Sequence, residues 1–250
     1  MFRSWTLWAL GYLDAALADA YQAVDHARDI GQAASLMYAL GTTSLTHVLC
    51  GNYALANAQL DELGHLANEK ASLFWKAFPI ATRGCLYTQI GNAVEAVQVI
   101  KSGMSALHST GASMWEPLLM SYLAKSHAEL GQFDDAWRCI GEATTSLETA
   151  KEKFFEAEVY RISGEIERAT REPDSVQVQA SFKHSLAVAR QQQAKSWELR
   201  AAMSLARLWR DQGKASEARE LLAPVYGWFT EGFDTRDLKE AKALLEALAA

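Results

Sequence analysis

Glycine recurs along this chain at intervals of 40 residues. The glycines that keep this spacing are Gly11, Gly51, Gly91 and Gly131, and the pattern returns near the C-terminal end at Gly213. Each is followed five residues later by an alanine, which gives a second series: Ala16, Ala56, Ala96, Ala136 and Ala218. A fixed period of this length is typical of stacked helix pairs, so the chain is predicted to be an all-α solenoid.

A third series consists of small residues seven positions before the glycine position: Ser4, Ser44, Gly84, Ala124, Gly164 and Ala206. Small side chains let two helices approach closely, and a glycine ends a helix in a left-handed conformation. The three series together resemble the tetratricopeptide repeat, in a form of about 40 residues instead of 34. The resemblance implies antiparallel helix pairs in a right-handed superhelix.

The repeat divides the chain into units at about 1–30, 31–70, 71–110, 111–151, 152–193 and 194–233, with a capping helix over 234–250. In the fifth unit the glycine is missing and Glu172-Pro173-Asp174-Ser175 stands there. We assign the alanine position of that unit to Ala180, after a longer turn. Helices are expected to start near 113 and 152 in the fourth and fifth units. The repeats predict one helical domain, a fragment of a longer protein.

Composition excludes several function classes. The net charge of −6 argues against general nucleic-acid binding. Polar residues interrupt the uncharged stretch from Ile30 to Leu60, so no membrane span is predicted. The cysteines form no ligand pattern with histidine, which favours reduced thiols in a cytoplasmic protein. His47 and His127 share a repeat position and are expected to pack, so we predict no metal and no cofactor.

The N-terminal segment resembles a signal peptide, because Arg3 precedes an apolar run that ends near Leu13. We reject that interpretation because Gly11 and Ala16 are in phase with the later repeats. The chain is instead predicted to begin in the middle of a repeat. That start leaves an apolar face unpaired, and we expect this end to self-associate, to be mobile or to dock onto another chain. The residues of the face are Phe2, Trp5, Leu7, Trp8 and Leu10.

Aromatic residues recur at the start of alternate helices: Trp75, Trp115, Phe155 and Trp197, the last three followed directly by Glu116, Glu156 and Glu198. One interpretation is an aromatic and acidic stripe that grips a ligand. The favoured interpretation is packing between neighbouring repeats, with the carboxylates near the positive ends of the helix dipoles.

In tetratricopeptide repeats the first helix of each pair lines a concave groove. Mapped onto this chain, the groove candidates are Tyr38, Phe78, Lys125, Glu158, Arg161, Glu165, Arg168, Arg200, Arg207 and Arg210. The arginines concentrate in the last two pairs, where they could hold an acidic peptide or a carboxylate by forked hydrogen bonds. The alternative is that Glu158, Arg161, Glu165 and Arg168 pair along their own helix. Both interpretations stay open.

Longer blocks after residue 150 resemble one family. They are Phe155-Glu156-Ala157-Glu158-Val159-Tyr160-Arg161, the segment from Ala194 to Trp209, and the ending from Leu221 to Thr235. These blocks are similar to the C-terminal repeat region of large bacterial signalling proteins, which join a class III nucleotide cyclase or a DNA-binding domain to a signalling ATPase. Maltose-activator-like regulators have a similar plan.

The chain carries no phosphate loop, no GxGxxG and no GxSxG. We therefore expect no catalysis, and the resemblance implies that any cyclase or ATPase chemistry belongs to other domains of the parent. The first function predicted is a regulatory scaffold for a protein or acidic peptide partner, which could be the parent's own cyclase or ATPase domains. The alternative is a small-ligand sensor that controls an attached catalytic domain.

Overall fold

The computed structural model describes residues 2–113 and 115–249, and this part of the chain contains thirteen α-helices and no strands. The helices are α1 (Phe2–Leu10), α2 (Leu13–Ile30), α3 (Ala33–Cys50), α4 (Tyr53–Glu69), α5 (Leu73–Gln89), α6 (Ala93–His108), α7 (Glu116–Glu129), α8 (Phe133–Ala150), α9 (Glu156–Ala169), α10 (Ser175–Gln191), α11 (Lys195–Asp211), α12 (Ala215–Tyr226) and α13 (Arg236–Ala247). The all-α prediction is confirmed, while the hand of the superhelix stays a prediction. Met1, Met114 and Ala250, which the predicted units and the capping helix include, lie outside the described residues.

The three repeat series have the structural roles that their residue types predict. All five glycines have positive φ, between 74° and 90°. The alanines Ala16, Ala56, Ala96, Ala136 and Ala218 are completely buried. The small-residue positions are buried as well, and at Gly84 an added Cβ would lie 2.3 Å from a carbon of Ile100. Each helix pair therefore packs at a distance that only small residues allow.

One assignment in the fifth unit is wrong. Ala180 is exposed, and the buried position equivalent to Ala136 is occupied by Val178. The backbone N–H of Val178 donates to the carbonyl of Asp174, as that of Ala136 does to Gln132. The turn before α10 is therefore two residues longer than in other units, not four. Asp174 caps α10 by accepting from the N–H groups of the two residues after Ser175.

The turns between successive pairs repeat too, a feature that the glycine series does not show. Their left-handed residues are Gly31, Ala71, Gly111, Lys151 and Gln193, with φ between 54° and 79°. Only two of these five are glycine, so composition does not reveal the series. Helix α7 starts at Glu116 instead of the predicted 113, because Trp115 has left-handed backbone with φ of 61°. Helix α9 likewise starts at Glu156 instead of 152.

The odd-numbered helices α1 to α11, which we call the inner helices, form one closed turn of the solenoid. Each contacts the next in the series, and α1 also contacts α11. The hydroxyl of Ser196 in α11 donates to the carbonyl of Trp8 in α1, and the rings of Trp8 and Trp197 have centroids 4.5 Å apart. The loop before α13 contacts the start of α2, where Glu231 accepts from the N–H of Ala15. The two ends of the solenoid therefore meet.

This closure corrects the expectation of an unpaired N-terminal face. Trp5 and Trp8 are 7% and 1% exposed, because α1 packs against α3 and α11 of its own chain. The indole N–H of Trp5 donates to the carbonyl of Thr42 over 2.8 Å. Phe2 alone among the five residues is more than half exposed.

Aromatic rings where the inner helices begin form a connected group, which we call the aromatic cluster: Phe2, Trp5, Trp8, Tyr38, Phe74, Trp75, Phe78, Trp115, Phe154, Phe155 and Trp197. Trp5 lies 6.0 Å from Trp115 and 6.3 Å from Phe154, between centroids, so it joins rings from separate repeats. The predicted aromatic ladder is part of this packing. Among the described residues, no helix has the length and apolar character needed to cross a bilayer.

Candidate functional site

A cavity of about 530 Å³ lies among the inner helices, lined mainly by the later parts of α7, α9 and α11. It is lined by side chains of α7, α9 and α11, by the end of α5 and by the start of α13. Six of the lining residues are cationic, namely Lys125, Arg161, Arg168, Arg200, Arg207 and Arg236; four are acidic, namely Glu129, Glu165, Asp237 and Glu240. The apolar part of the wall includes Ile166 and Met203. The cavity therefore has an excess of positive charge.

Helical spacing places these charges on one wall. Arg161 and Arg168 are seven residues apart on α9, as Arg200 and Arg207 are on α11, and this spacing keeps side chains on one helix face. Lys125, Glu165 and Arg207 occupy one repeat position on three successive inner helices. The repeat thus superposes charged side chains from neighbouring units around the cavity.

Two arginines of the lining, Arg161 and Arg200, pair with Glu158, which is buried behind them, and we call these three side chains the cavity floor. The side chain of Glu158 is completely buried. Arg161 donates to both of its carboxylate oxygens, over 2.7 and 2.9 Å, and also to the hydroxyl of Ser204 over 3.3 Å. Burial disfavours the ionised carboxylate, but the charges of Arg161 and Arg200 outweigh burial and hold the pKa of Glu158 below its usual range. The floor is an ion-paired network.

Arg200 joins the floor to three other helices, α13, α3 and α1. Its Nε donates to Asp237 of α13 over 2.6 Å, and one terminal nitrogen donates to the carbonyl of Leu49 at the end of α3 over 2.9 Å. Its guanidinium also lies 5.3 Å from the ring centre of Trp8 and 5.2 Å from that of Trp197. This single side chain therefore links the closure of the turn to the cavity.

The cavity rim consists of Lys125, Arg168, Arg207, Arg236 and Glu240, which are 28–40% exposed. Arg168 contacts Glu165 over 3.3 Å and Asp211 over 3.4 Å. Lys125 lies 3.8 Å from Glu129, a loose ion pair. Burial, with the positive charge of Arg161 second, lowers the pKa of Lys125. The rim cations are therefore paired with carboxylates, but over long contacts at Lys125 and Arg168 and with part of each side chain exposed.

Arg236 anchors the first turn of α13 at this rim. Its guanidinium donates to the hydroxyl of Tyr53 over 2.6 Å, to the carbonyl of Gln89 over 3.1 Å and to Glu240 over 2.7 Å. The repeat pattern predicts only a capping role for this helix and gives no place in the site to Arg236, Asp237 and Glu240. The sequence feature that indicates Arg236 and Glu240 is their spacing of four residues, which places opposite charges on one face of a helix.

The structure brings together seven of the ten groove candidates: Lys125, Glu158, Arg161, Glu165, Arg168, Arg200 and Arg207. Tyr38 and Phe78 lie elsewhere, in the aromatic cluster, and Phe78 is only 2% exposed. They share a repeat position with Glu158 and Arg200, but an apolar side chain there packs with other rings. Arg210 lies outside the cavity lining, where it pairs with the adjacent Asp211. These three positions are corrected.

The pairing interpretation of the arginines describes part of the site, while the binding of an acidic ligand stays a prediction. Arg161 pairs with Glu158 and Glu165 on its own helix, as the pairing interpretation predicts. Arg207 and Arg236 instead meet a carboxylate at the solvent-facing rim. The glutamates of the predicted aromatic and acidic stripe do not line the cavity: Glu198 binds Arg190 and Lys195, and Glu116 accepts from Ser146.

The histidines that share a repeat position are both buried in helix packing. His47 lies with its ring centroid 5.4 Å from that of Tyr21, and His127 contacts the side chain of Gln132 over 2.6 Å. Burial lowers the pKa of His47 to about 4. In the part of the chain that the structure describes, no three His, Cys, Asp or Glu side chains are arranged to hold a metal ion.

Comparison with known proteins adds no functional assignment. No protein-family model matches the chain, and no curated protein is significantly similar to it.

Proposed function

We propose that this chain is a non-catalytic regulatory module that binds an anionic ligand in the cationic cavity. The observation that carries the proposal is the convergence of six cationic side chains from four helices on one cavity of about 530 Å³. This volume lies within the range of roughly 300–1,000 Å³ that is usual for small-molecule sites. Arginine forks suit carboxylate and phosphate groups, which they bind through two parallel hydrogen bonds.

The closed turn favours a compact ligand over a peptide that lies along an open groove. The expected groove would have run from Tyr38 to Arg210, but these residues belong to different environments. The aromatic cluster occupies the end of the turn where the inner helices begin. Ile166 and Met203 offer an apolar surface to the uncharged part of such a ligand. The small-ligand sensor is therefore our first candidate.

A protein partner is the second candidate, because Arg168 and Arg236 are 38% and 40% exposed at the rim. An acidic chain end or a loop could reach both from solvent. The resemblance to cyclase and ATPase regulators suggests domains of a parent protein as the source of such a segment. It also leads us to propose a bacterial signalling protein that works in the cytoplasm, without turnover of ATP or GTP by this chain.

Thermal unfolding in the presence of defined anions tests the proposal. We expect citrate, pyrophosphate or pentaglutamate to raise the melting temperature at low salt, and glucose to have no effect. A ligand present at a hundred times its Kd stabilises the folded state by about 2.7 kcal/mol. The effect should decrease as salt rises, because the rim charges are exposed.

Arg168→Glu reverses the charge of a rim residue and should abolish the stabilisation. Arg210→Glu is the matched control, because Arg210 occupies the equivalent repeat position but lies outside the cavity. Stabilisation by pentaglutamate alone would favour the protein partner. If no anion stabilises the wild type, or if both variants respond like the wild type, the cavity is not the site.

A further inference from the structure

Two arginines from different helices converge on one carboxylate at the cavity rim. A terminal nitrogen of Arg207 in α11 donates to one oxygen of Glu240 over 3.0 Å. The Nε of Arg236 in α13 donates to the other oxygen over 2.7 Å. Because both oxygens belong to one group, the two guanidinium groups point toward the same small volume. Paired guanidinium groups around one point are suited to binding an oxyanion.

The charge of Glu240 balances only one of these two arginines. Lys125 and Arg168 add two further cations to the same cavity, but both have carboxylate partners: Lys125 contacts Glu129 at 3.8 Å, and Arg168 contacts Glu165 and Asp211 at 3.3 and 3.4 Å. The side chain of Glu240 is 38% exposed, so its position between the arginines can be reached from solvent. A group with more negative charge than a carboxylate would therefore compensate Arg207 and Arg236 better than Glu240 does.

We propose that Arg207 and Arg236 bind a phosphate group of the ligand, and that Glu240 occupies the place of this group when the ligand is absent. This inference rests on the proposed function and adds the chemical class of the ligand. Glu240 is attached to the chain, so a free monocarboxylate of equal charge must compete with a carboxylate at high effective concentration. A phosphate carries a charge of about −1.5 to −2 and three acceptor oxygens, which gives it the advantage.

Isothermal titration of the full chain with pyrophosphate tests this assignment, with acetate as the monocarboxylate comparison. Glu240→Gln removes the competing charge and keeps the size of the side chain. We expect this variant to bind pyrophosphate about tenfold more tightly than the wild type, while acetate binds more weakly than pyrophosphate to both. Arg207→Gln should lose pyrophosphate binding.

Glu246→Gln is the matched control, because Glu246 lies on the same helix but pairs with Lys242 outside the cavity. Its affinity for pyrophosphate should equal that of the wild type. If Glu240→Gln does not fold, Glu240→Asp withdraws the carboxylate by one methylene group and should also strengthen pyrophosphate binding.

The outcomes separate this inference from the proposed function. Equal affinity of the wild type and Glu240→Gln for pyrophosphate would overturn the role of Glu240 and leave anion binding in place. Failure of both to bind pyrophosphate, with stabilisation of the wild type by citrate or pentaglutamate, would overturn the phosphate assignment alone. Binding of pyrophosphate by Glu240→Gln but not by the wild type would support the inference. If no anion binds any of these proteins, both proposals fail.

Discussion

At the residue scale, one repeat position explains why charge gathers at one end of the inner surface. This position holds Tyr38, Phe78, Leu118, Glu158 and Arg200 in successive units. The first three are apolar or aromatic, and Phe78 packs with other rings. The last two are charged and form the cavity floor. A buried charge is stable only with partners, and Arg200 finds them in Asp237, Glu158 and the carbonyl of Leu49.

The sequence predicts which residues are charged but not which of them are paired. Arg161 and Glu158 are three residues apart, so helical periodicity predicts their contact. The contacts of Arg200 join it to residues 37 and 151 positions away. Such contacts depend on how the whole turn closes, which no local pattern records.

Buried His47 gives a prediction about pH at this scale. Burial lowers its pKa to about 4, from 6.5 in the unfolded chain, so the neutral ring of the folded state contributes stability above pH 6.5. This contribution is lost as pH falls from 6.5 toward 4. Between pH 7 and pH 5 the free energy of unfolding should decrease by about 2 kcal/mol through this residue.

Urea unfolding at several pH values measures this decrease. His47→Leu should remove most of the dependence, whereas His26→Leu, at an exposed position of the neighbouring helix, should keep it. An unchanged pH dependence in His47→Leu would show that other groups cause it.

At the element scale, the 40-residue period predicts the helix pairs well, because glycine, alanine and small residues are each required by close packing. The error at Ala180 has a physical cause. The fifth unit has no glycine at the turn, so the sequence does not show where α10 begins. Without that starting point, either Val178 or Ala180 can be assigned to the buried position. The second series of left-handed turns was missed because Ala71, Lys151 and Gln193 replace glycine there.

These non-glycine turns provide a stability prediction. Gln193 has φ of 55° and is exposed, so its side chain adds strain without a packing contribution. Gln193→Gly should raise the free energy of unfolding by about 0.5–1 kcal/mol. Lys183→Gly, at an exposed position in the interior of α10, should lower it by a similar amount. Chemical denaturation compares the two variants, and a loss of stability in Gln193→Gly would contradict the strain argument.

At the scale of the whole molecule, closure of the turn creates the site. The repeat series predicts stacked pairs, but the meeting of α1 and α11 depends on small rotations added over five units. The expected exposed face around Trp5 and Trp8 was wrong for this reason: the chain's own C-terminal part covers it. The same closure brings α13 over the inner helices, so that Arg236, Asp237 and Glu240 complete the cavity.

Hydrogen exchange of α1 amides tests this closure most directly. If α1 is held by α3 and α11 through Trp5, Trp8 and Arg200, its last turn should be protected as strongly as the middle of α11. Arg200→Ala leaves Glu158 and Asp237 without their shared partner, which should cost about 3–5 kcal/mol and lower this protection. Arg210→Ala should leave it unchanged. Exchange of the wild-type α1 at the rate of an unfolded peptide, with α3 to α11 still protected, would contradict the closed turn and the cavity that depends on it.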